Sequence, residues 1–373
     1  MGGDTEPTVT RGAILALRLF DIAYSIDLQR VEVLWAERGQ GASQRSRLQA
    51  PAKALAYDVP PVNLELPPQH LELDGHPVRA RVTARLYDFG ALVLELKIDV
   101  ADIGWREYTA LVNELDRRVG PQSSTAPWDK ILDEVRTLVT PALVRPSRAG
   151  LQEDYLVAIV HRWGEAMSAS EVEARVDLVP VLSGETRALS DGARRDLLRH
   201  RFSYYQDDLA AVTWDRAFIC EPAGDSDVID VLEVANAQLL ELRYYDELLD
   251  DELPRMYDLV EEAQRTPFAL APGRFAGLAR KLYTLVAEVT ELREKVDNAL
   301  QVTEDVYLAR IYAAALDLVR VDDVGAAVDR KLGIIRDTYT ALYDEASGRR
   351  AELLEIAIVV LIVLEILLAL IRR

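Results

Sequence analysis

The residues just before the C-terminal arginines set the strongest limit on what this chain can form. Leu353–Ile371 reads LLEIAIVVLIVLEILLALI and holds fifteen Leu, Ile or Val residues. As a helix, this stretch spans about 28 Å, close to the roughly 30 Å hydrocarbon core of a bilayer. Its aliphatic side chains contribute on the order of −7 kcal/mol to insertion, and a charge near the middle costs roughly 2.5–3.5 kcal/mol. Glu365 lies inside the stretch and Glu355 near its edge. The balance predicts one C-terminal transmembrane helix, with residues 349–373 as a tail anchor. The partner is then the membrane, and the protein is a single-pass membrane protein with its head in the cytosol. A buried oligomerisation helix is the alternative. The arginine pairs at 349–350 and 372–373 are balanced, so they do not fix an orientation. Glu365 is expected to mark a helix–helix contact that holds an oligomer together. Glu355, about 80° away around the helix, can share that face.

Charge narrows the remainder. The chain has 43 basic and 62 acidic residues, for a net charge of −19. That argues against a global grip on nucleic acid. One cysteine excludes an intrachain disulfide framework or a Cys-based metal site, and four histidines leave little material for another. No cofactor is expected. Met1–Thr10 is polar and acidic, unlike a secretory signal, and residues 1–11 are expected to be disordered.

Acid concentrates before the anchor. Residues 225–348 hold 26 acidic and 13 basic residues. This region, taken as 223–348, predicts a long helical, coiled-coil-like stalk. Val231, Ala235, Gln238, Leu242, Tyr245 and Leu249 follow a 3-4 spacing. Pro254 is expected to end or kink that helix. Leu278, Leu285, Val289, Leu292 and Val296 continue a seam, read as one helix from about 273 to 321, and a third helix, about 324–343, leads into the anchor. The positions expected to pack are Leu242, Leu249, Leu285, Leu292 and Val296. The cluster Asp246, Glu247, Asp250, Asp251 and Glu252 lacks an EF-hand spacing and reads as a solvated helix end.

Residues 12–222 read as an α+β head, with a weak repeat signal that allows two similar halves. Val78–Asp88 alternates, with Arg79, Arg81 and Arg85 on one face, and Asp88-Phe89-Gly90 turns it into a hairpin with 91–98. Residues 39–70, rich in proline, read as a loop. Helices are expected near 104–119, 128–144 and 190–200, and strands near 14–28, 154–163 and 209–220. The three arginines form a candidate phosphate or RNA face, although pairing with the chain's own acid is simpler. Asp88-Phe89-Gly90 lacks the other kinase motifs. His70 and His76 have no third ligand, and His161 lies on a strand face. No catalytic, cofactor-binding or metal-ligating set emerges.

Three segments together carry a resemblance: Leu86-Tyr-Asp-Phe-Gly-Ala-Leu-Val-Leu94, Leu232-Glu-Val-Ala-Asn-Ala-Gln-Leu-Leu-Glu-Leu-Arg-Tyr-Tyr-Asp246, and Leu354-Glu-Ile-Ala-Ile-Val-Val-Leu-Ile-Val-Leu-Glu-Ile366. Their order and spacing resemble the "required for meiotic nuclear division" family of uncharacterised proteins. The resemblance covers roughly 12–371. It implies a membrane-anchored, oligomeric protein; mitochondrial members are linked to the inner membrane and to organellar translation. No catalytic residues can be carried over. The expected function is a C-terminally anchored, self-associating scaffold or adaptor, a homo-oligomer. The alternatives are an RNA or ribosome tether, or an enzyme with an unrecognised site in the head.

Overall fold

A computed structural model describes residues 6–39, 44–45, 55–123, 127–147, 150–224, 227–264, 271–298, 300–302 and 305–371. The chain divides into two units. One holds Met1–Glu241 with Lys295–Asp322, the other Leu242–Glu294 with Asp323–Arg373.

The first unit opens with β1 (Thr8–Asp21), β2 (Ala23–Ile26) and α1 (Leu28–Glu37). The short β3 (Gln44–Arg45) and β4 (Leu55–Tyr57) precede the long β5 (Val62–Leu73), β6 (His76–Leu86) and β7 (Ala91–Val100). Then come β8 (Ile103–Gly104), α2 (Trp105–Val119), α3 (Trp128–Val139), β9 (Leu143–Pro146) and β10 (Gln152–Trp163). Short helices α4 (Ala169–Arg175), α5 (Val179–Ser183) and α6 (Asp191–Leu197) lead to β11 (Arg201–Phe202), β12 (Leu209–Val212) and β13 (Arg216–Cys220). The remainder is helical except for β14 (Leu300–Val302): α7 (Asp227–Gln264), α8 (Ala271–Asp297), α9 (Val306–Leu318) and α10 (Val321–Ile371).

One ten-stranded sheet organises the first unit, in the order β11-β12-β13-β10-β1-β7-β6-β5-β3, with β8 also on β1. Its long pairings are antiparallel except β10 with β13. The centre strand β1 is buried on both faces, which is why its sequence runs as an almost unbroken apolar string. Ile14, Ala16 and Phe20 face a core shared with α1, α2 and α3. Ala13, Leu15, Leu17 and Leu19 face a second core shared with the first turns of α7 and with α9. The result is a three-layer mixed α/β unit.

The structure corrects several expectations here. The short β3 and β4 fall within the stretch read as a loop, and strand β5 takes up the end of that stretch, from Val62 onward. Its Pro67 and Pro68 fall where the register with β6 slips between Leu66 and Gln69, so no ladder N–H is lost there. The stretch 209–220 is two strands joined by a turn, and β1 already begins at Thr8. Pro254 neither ends nor breaks α7. The helix expected from 273 to 321 is instead α8, β14, α9 and the start of α10.

The second unit is helical. Tyr245, Leu249 and Met256 of α7 are buried in it, together with Phe275, Leu278, Leu282 and Val289 of α8 and Val328, Leu332, Ile335 and Leu342 of α10. Lys331 Nζ donates to the Asp246 carbonyl at 3.0 Å and pairs with the Asp246 and Asp250 carboxylates at 2.6 Å each. Two members of the acidic cluster therefore grip a lysine rather than only facing solvent.

The transmembrane helix is the main correction. Among the described residues, no helix is long and apolar enough to cross a membrane. Leu353–Ile371 is the end of the long helix α10, and Glu355 and Glu365 divide it. Its longest charge-free run, Ile356–Leu364, covers only about 14 Å of helix against a core of roughly 30 Å. The membrane anchor over 349–373, the membrane as partner through this helix, and the single-pass membrane localisation with a cytosolic head all fall with it. What remains is a helix whose residues from Leu354 to Ile371, wherever their side chains are described, are all exposed.

Candidate functional site

The first unit buries charges beneath α7. Alternation along β6 places Arg79, Arg81, Thr83 and Arg85 on the face opposite Ala80, Val82 and Ala84. Only Arg85 lies under the helix. Its Nη1 reaches Asp230 Oδ1 at 2.6 Å and Glu233 Oε2 at 3.1 Å, and its Nε donates to Asn63 Oδ1 at 3.0 Å. The two carboxylates are three residues apart on α7, hence on one face of it. Just beyond β6, the Tyr87 hydroxyl donates to Glu233 Oε1 at 2.8 Å. Tyr87 stacks on Phe89 with centroids 5.0 Å apart and meets Tyr57 at 6.5 Å. The Tyr57 hydroxyl is buried without a hydrogen bond of normal geometry among the described residues.

A glycine makes this arrangement fit. Gly90 has φ +110, and a Cβ on it would stand 1.8 Å from the Ala23 carbonyl oxygen. Its own carbonyl accepts from the Ile22 N–H at 3.1 Å. The tight return between β6 and β7 thus presses against β2 and turns Tyr87 and Phe89 toward α7. Asp88-Phe89-Gly90 is this turn.

Burial sets the electrostatics. It pushes the Glu233 carboxyl up to about 7, reinforced by Asp230, while Arg85 and the Tyr87 hydrogen bond oppose the rise. Burial alone lowers the Arg85 guanidinium, but Glu233 and Asp230 outweigh it and hold the group charged. The Tyr87 and Tyr57 hydroxyls are raised well above the usual phenol range, first by burial and then by the nearby carboxylates. The cluster therefore pairs Arg85 with two carboxyls, one of which takes up a proton near neutral pH. Tyr87 and Glu233 are each 1% exposed, so a solute reaches them only if α7 moves.

A second charged cluster joins the sheet to α2. Arg216 donates to Asn113 Oδ1 at 2.7 Å, Asp116 Oδ2 at 2.6 Å and the Val181 carbonyl at 3.2 Å. Arg18 donates to the Val119 carbonyl at 3.1 Å and lies 3.8 Å from Asp154. Burial pushes Asp215 up to about 6, against Arg216.

The residues singled out from sequence scatter. Arg79 and Arg81 stay on the open part of the β6 face, and Arg81 pairs with Asp99 at 2.7 Å. Arg85 is spent inside. The three arginines thus do not form a common anion face. Glu355 and Glu365 are exposed on α10. Leu242 and Leu249 are buried and Leu285 half-buried, whereas the side chains of Leu292 and Val296 lie outside the described residues. His161 Nδ1 lies 3.0 Å from the Glu221 carbonyl. Among the described residues, no group of His, Cys, Asp or Glu is placed to hold a metal ion. Sequence reading missed Glu233, Asp230, Tyr87 and Tyr57. The signal was present, since two of the quoted segments, 86–94 and 232–246, meet at the Tyr87–Glu233 hydrogen bond.

A mixed α/β domain around one large sheet, closed by a buried helix that carries charge, is the class this fold defines. The chain belongs to the family described as "Uncharacterized protein MJ0711, N-terminal domain", whose pattern matches residues 11–227. It is 26% identical over 194 residues to "Uncharacterized protein MJ0711" of Methanocaldococcus jannaschii. The match covers 52% of this chain and 58% of that relative, so less than two thirds of the relative's length is spanned. No solved structure matches the chain.

Proposed function

We propose that the protein is a self-associating scaffold or adaptor, in which the end of α10 makes the contact with a second copy of the chain. The observation that carries this is the surface of α10. From Leu354 to Ile371 it presents leucine, isoleucine and valine to solvent around the whole helix. Monomeric proteins rarely leave a contiguous apolar surface of that extent bare. A helix that is apolar on every side is covered by neighbours when it is stable in water, and other copies of the same helix supply identical neighbours at matching length. Glu355 and Glu365 then lie within or beside the contact and set its register, as isolated polar positions do in helix bundles. The sheet unit is carried as the head that the assembly displays.

The finer kinship, to the "required for meiotic nuclear division" family, is part of the same proposal. It is supported by the meeting of the segments 86–94 and 232–246 in one buried network. The test is the molar mass in solution of the full-length chain and of a version ending at Gly348. A multimer that falls to a monomer on truncation supports the proposal. A full-length monomer, or a multimer unchanged by truncation, overturns it.

A further inference from the structure

A cavity of about 580 Å³ opens at the first turn of α2, lined by Glu6, Trp105, Arg106, Thr109, Arg175 and Asp177 among others. The start of the helix has no side-chain cap of its own, because its N-cap is Gly104. Its amides are met from upstream. The Trp105 N–H donates to the Pro7 carbonyl at 2.9 Å, and the Arg106 N–H donates to Glu6 Oε1 at 2.6 Å. The wall is fixed on the other side: Trp105 Nε1 donates to the Asp177 carbonyl at 3.2 Å, and Arg175 pairs with Glu165.

Two donors at this cavity are unused. The Thr109 hydroxyl belongs to a residue only 9% exposed and has no hydrogen-bond partner among the described residues. A buried hydroxyl left unpaired costs on the order of 1–3 kcal/mol, so its place on a cavity wall calls for an acceptor. The Arg106 guanidinium is exposed at the same turn and makes no ion pair or hydrogen bond among the described residues. Helix amides, a guanidinium and a hydroxyl converging on one hollow are the donor set of an oxyanion site.

We propose that this cavity binds the oxyanion group, carboxylate or phosphate, of a small ligand, with the Glu6 carboxylate as its built-in competitor. Glu6 marks the position of the oxyanion at the Arg106 amide. A ligand that displaces it gains Arg106 and the Thr109 hydroxyl, and releases the segment before β1 from the helix.

The experiment is calorimetric titration of the full-length protein with inorganic phosphate and, separately, with acetate. Glu6→Ala, Arg106→Glu and Thr109→Val are compared with the native chain. Removing the competitor in Glu6→Ala should tighten binding of one of the two anions about tenfold, a change of about 1.4 kcal/mol. The anion that responds more names the ligand class. Arg106→Glu should weaken that binding at least as much, and Thr109→Val by a smaller factor. Should Glu6→Ala melt early, Arg106→Glu reads the same site, because its side chain is exposed. Affinities that do not move in any of the three variants, or no binding of either anion at millimolar concentration in native and Glu6→Ala protein, overturn the proposal.

Discussion

The two ends of α7 treat charge in opposite ways. From Ile229 to Leu242 the helix is buried on every side, and Asp230, Glu233, Asn236, Gln238 and Glu241 go in with the aliphatic residues. Beyond that point it buries a stripe, Tyr245, Leu249 and Met256, and leaves most of its acids in water. The first stretch holds Asp230 and Glu233 against partners: Arg85 pairs with both, and Tyr87 donates to Glu233, while the neutral Gln238 accepts from Tyr312 at 2.7 Å. The second needs few such contacts, since solvent does the same service. The lesson is that the energetic weight of a charge on one helix is set by what packs over it. A buried pair broken on one side costs about 3–5 kcal/mol, and an exposed pair is worth roughly 0–1 kcal/mol.

The largest effect expected from breaking this contrast is at the turn that aims Tyr87. Gly90→Ala places a methyl group against the Ala23 carbonyl at a positive φ, so the variant should lose about 4 kcal/mol or more, or fail to fold. Thermal denaturation followed by circular dichroism reads this, and a melting point near the native one would show that the turn can move.

Next comes a matched pair of substitutions. Arg85→Met strands Asp230 and Glu233 in the interior and should cost about 3–5 kcal/mol. Lys331→Met removes a cation from Asp246 and Asp250, which are partly exposed, and should cost no more than about 1 kcal/mol. Urea unfolding of both variants decides the matter; equal losses would remove the distinction drawn between the two ends of α7.

A smaller effect lies in the pH dependence. A carboxyl raised in the folded state holds a proton that the unfolded chain has released, so its contribution to stability is lost as pH rises from the unfolded value toward the folded one. Asp21 and Asp215, both pushed up to about 6 by burial, act in this sense at the acidic end, whereas Glu233, raised to about 7, continues beyond them. Stability should therefore still fall between pH 6 and 7. Glu233→Gln should flatten that interval by on the order of 1 kcal/mol while leaving the fall below pH 6 in place. Native and variant curves that stay parallel from pH 6 to 7 would assign the proton elsewhere.

Local pattern alone carried much of this fold. Alternation at 78–88 gives β6, the turn at 88–90 gives the hairpin with β7, and the apolar spacing of 105–119 gives α2, because each signal is complete within a dozen residues. The same logic mistook β5 for a loop, since Pro67 and Pro68 are compatible with a strand only where a bulge takes them, and a bulge depends on the neighbouring strand. It also joined β12 to β13, whose turn is fixed by the Thr213 hydroxyl accepting from the Arg216 N–H. Apolar length suggested a membrane span at the end of α10, where two acids leave no run long enough.

What the sequence by itself determined is thus the locally complete elements, such as β6, its hairpin with β7 and α2, together with the face of β6 that carries arginine and the acidity of the helical region. Which arginine is buried, and with which carboxylates, was decided only by tertiary structure. Arg85 and Asp230 stand 145 residues apart, and nothing local to either separates Arg85 from Arg81. The physical reason is that a charge is committed to the interior by desolvation. Desolvation depends on which helix crosses which strand, and that crossing exists only once the sheet has formed and α7 has closed over it.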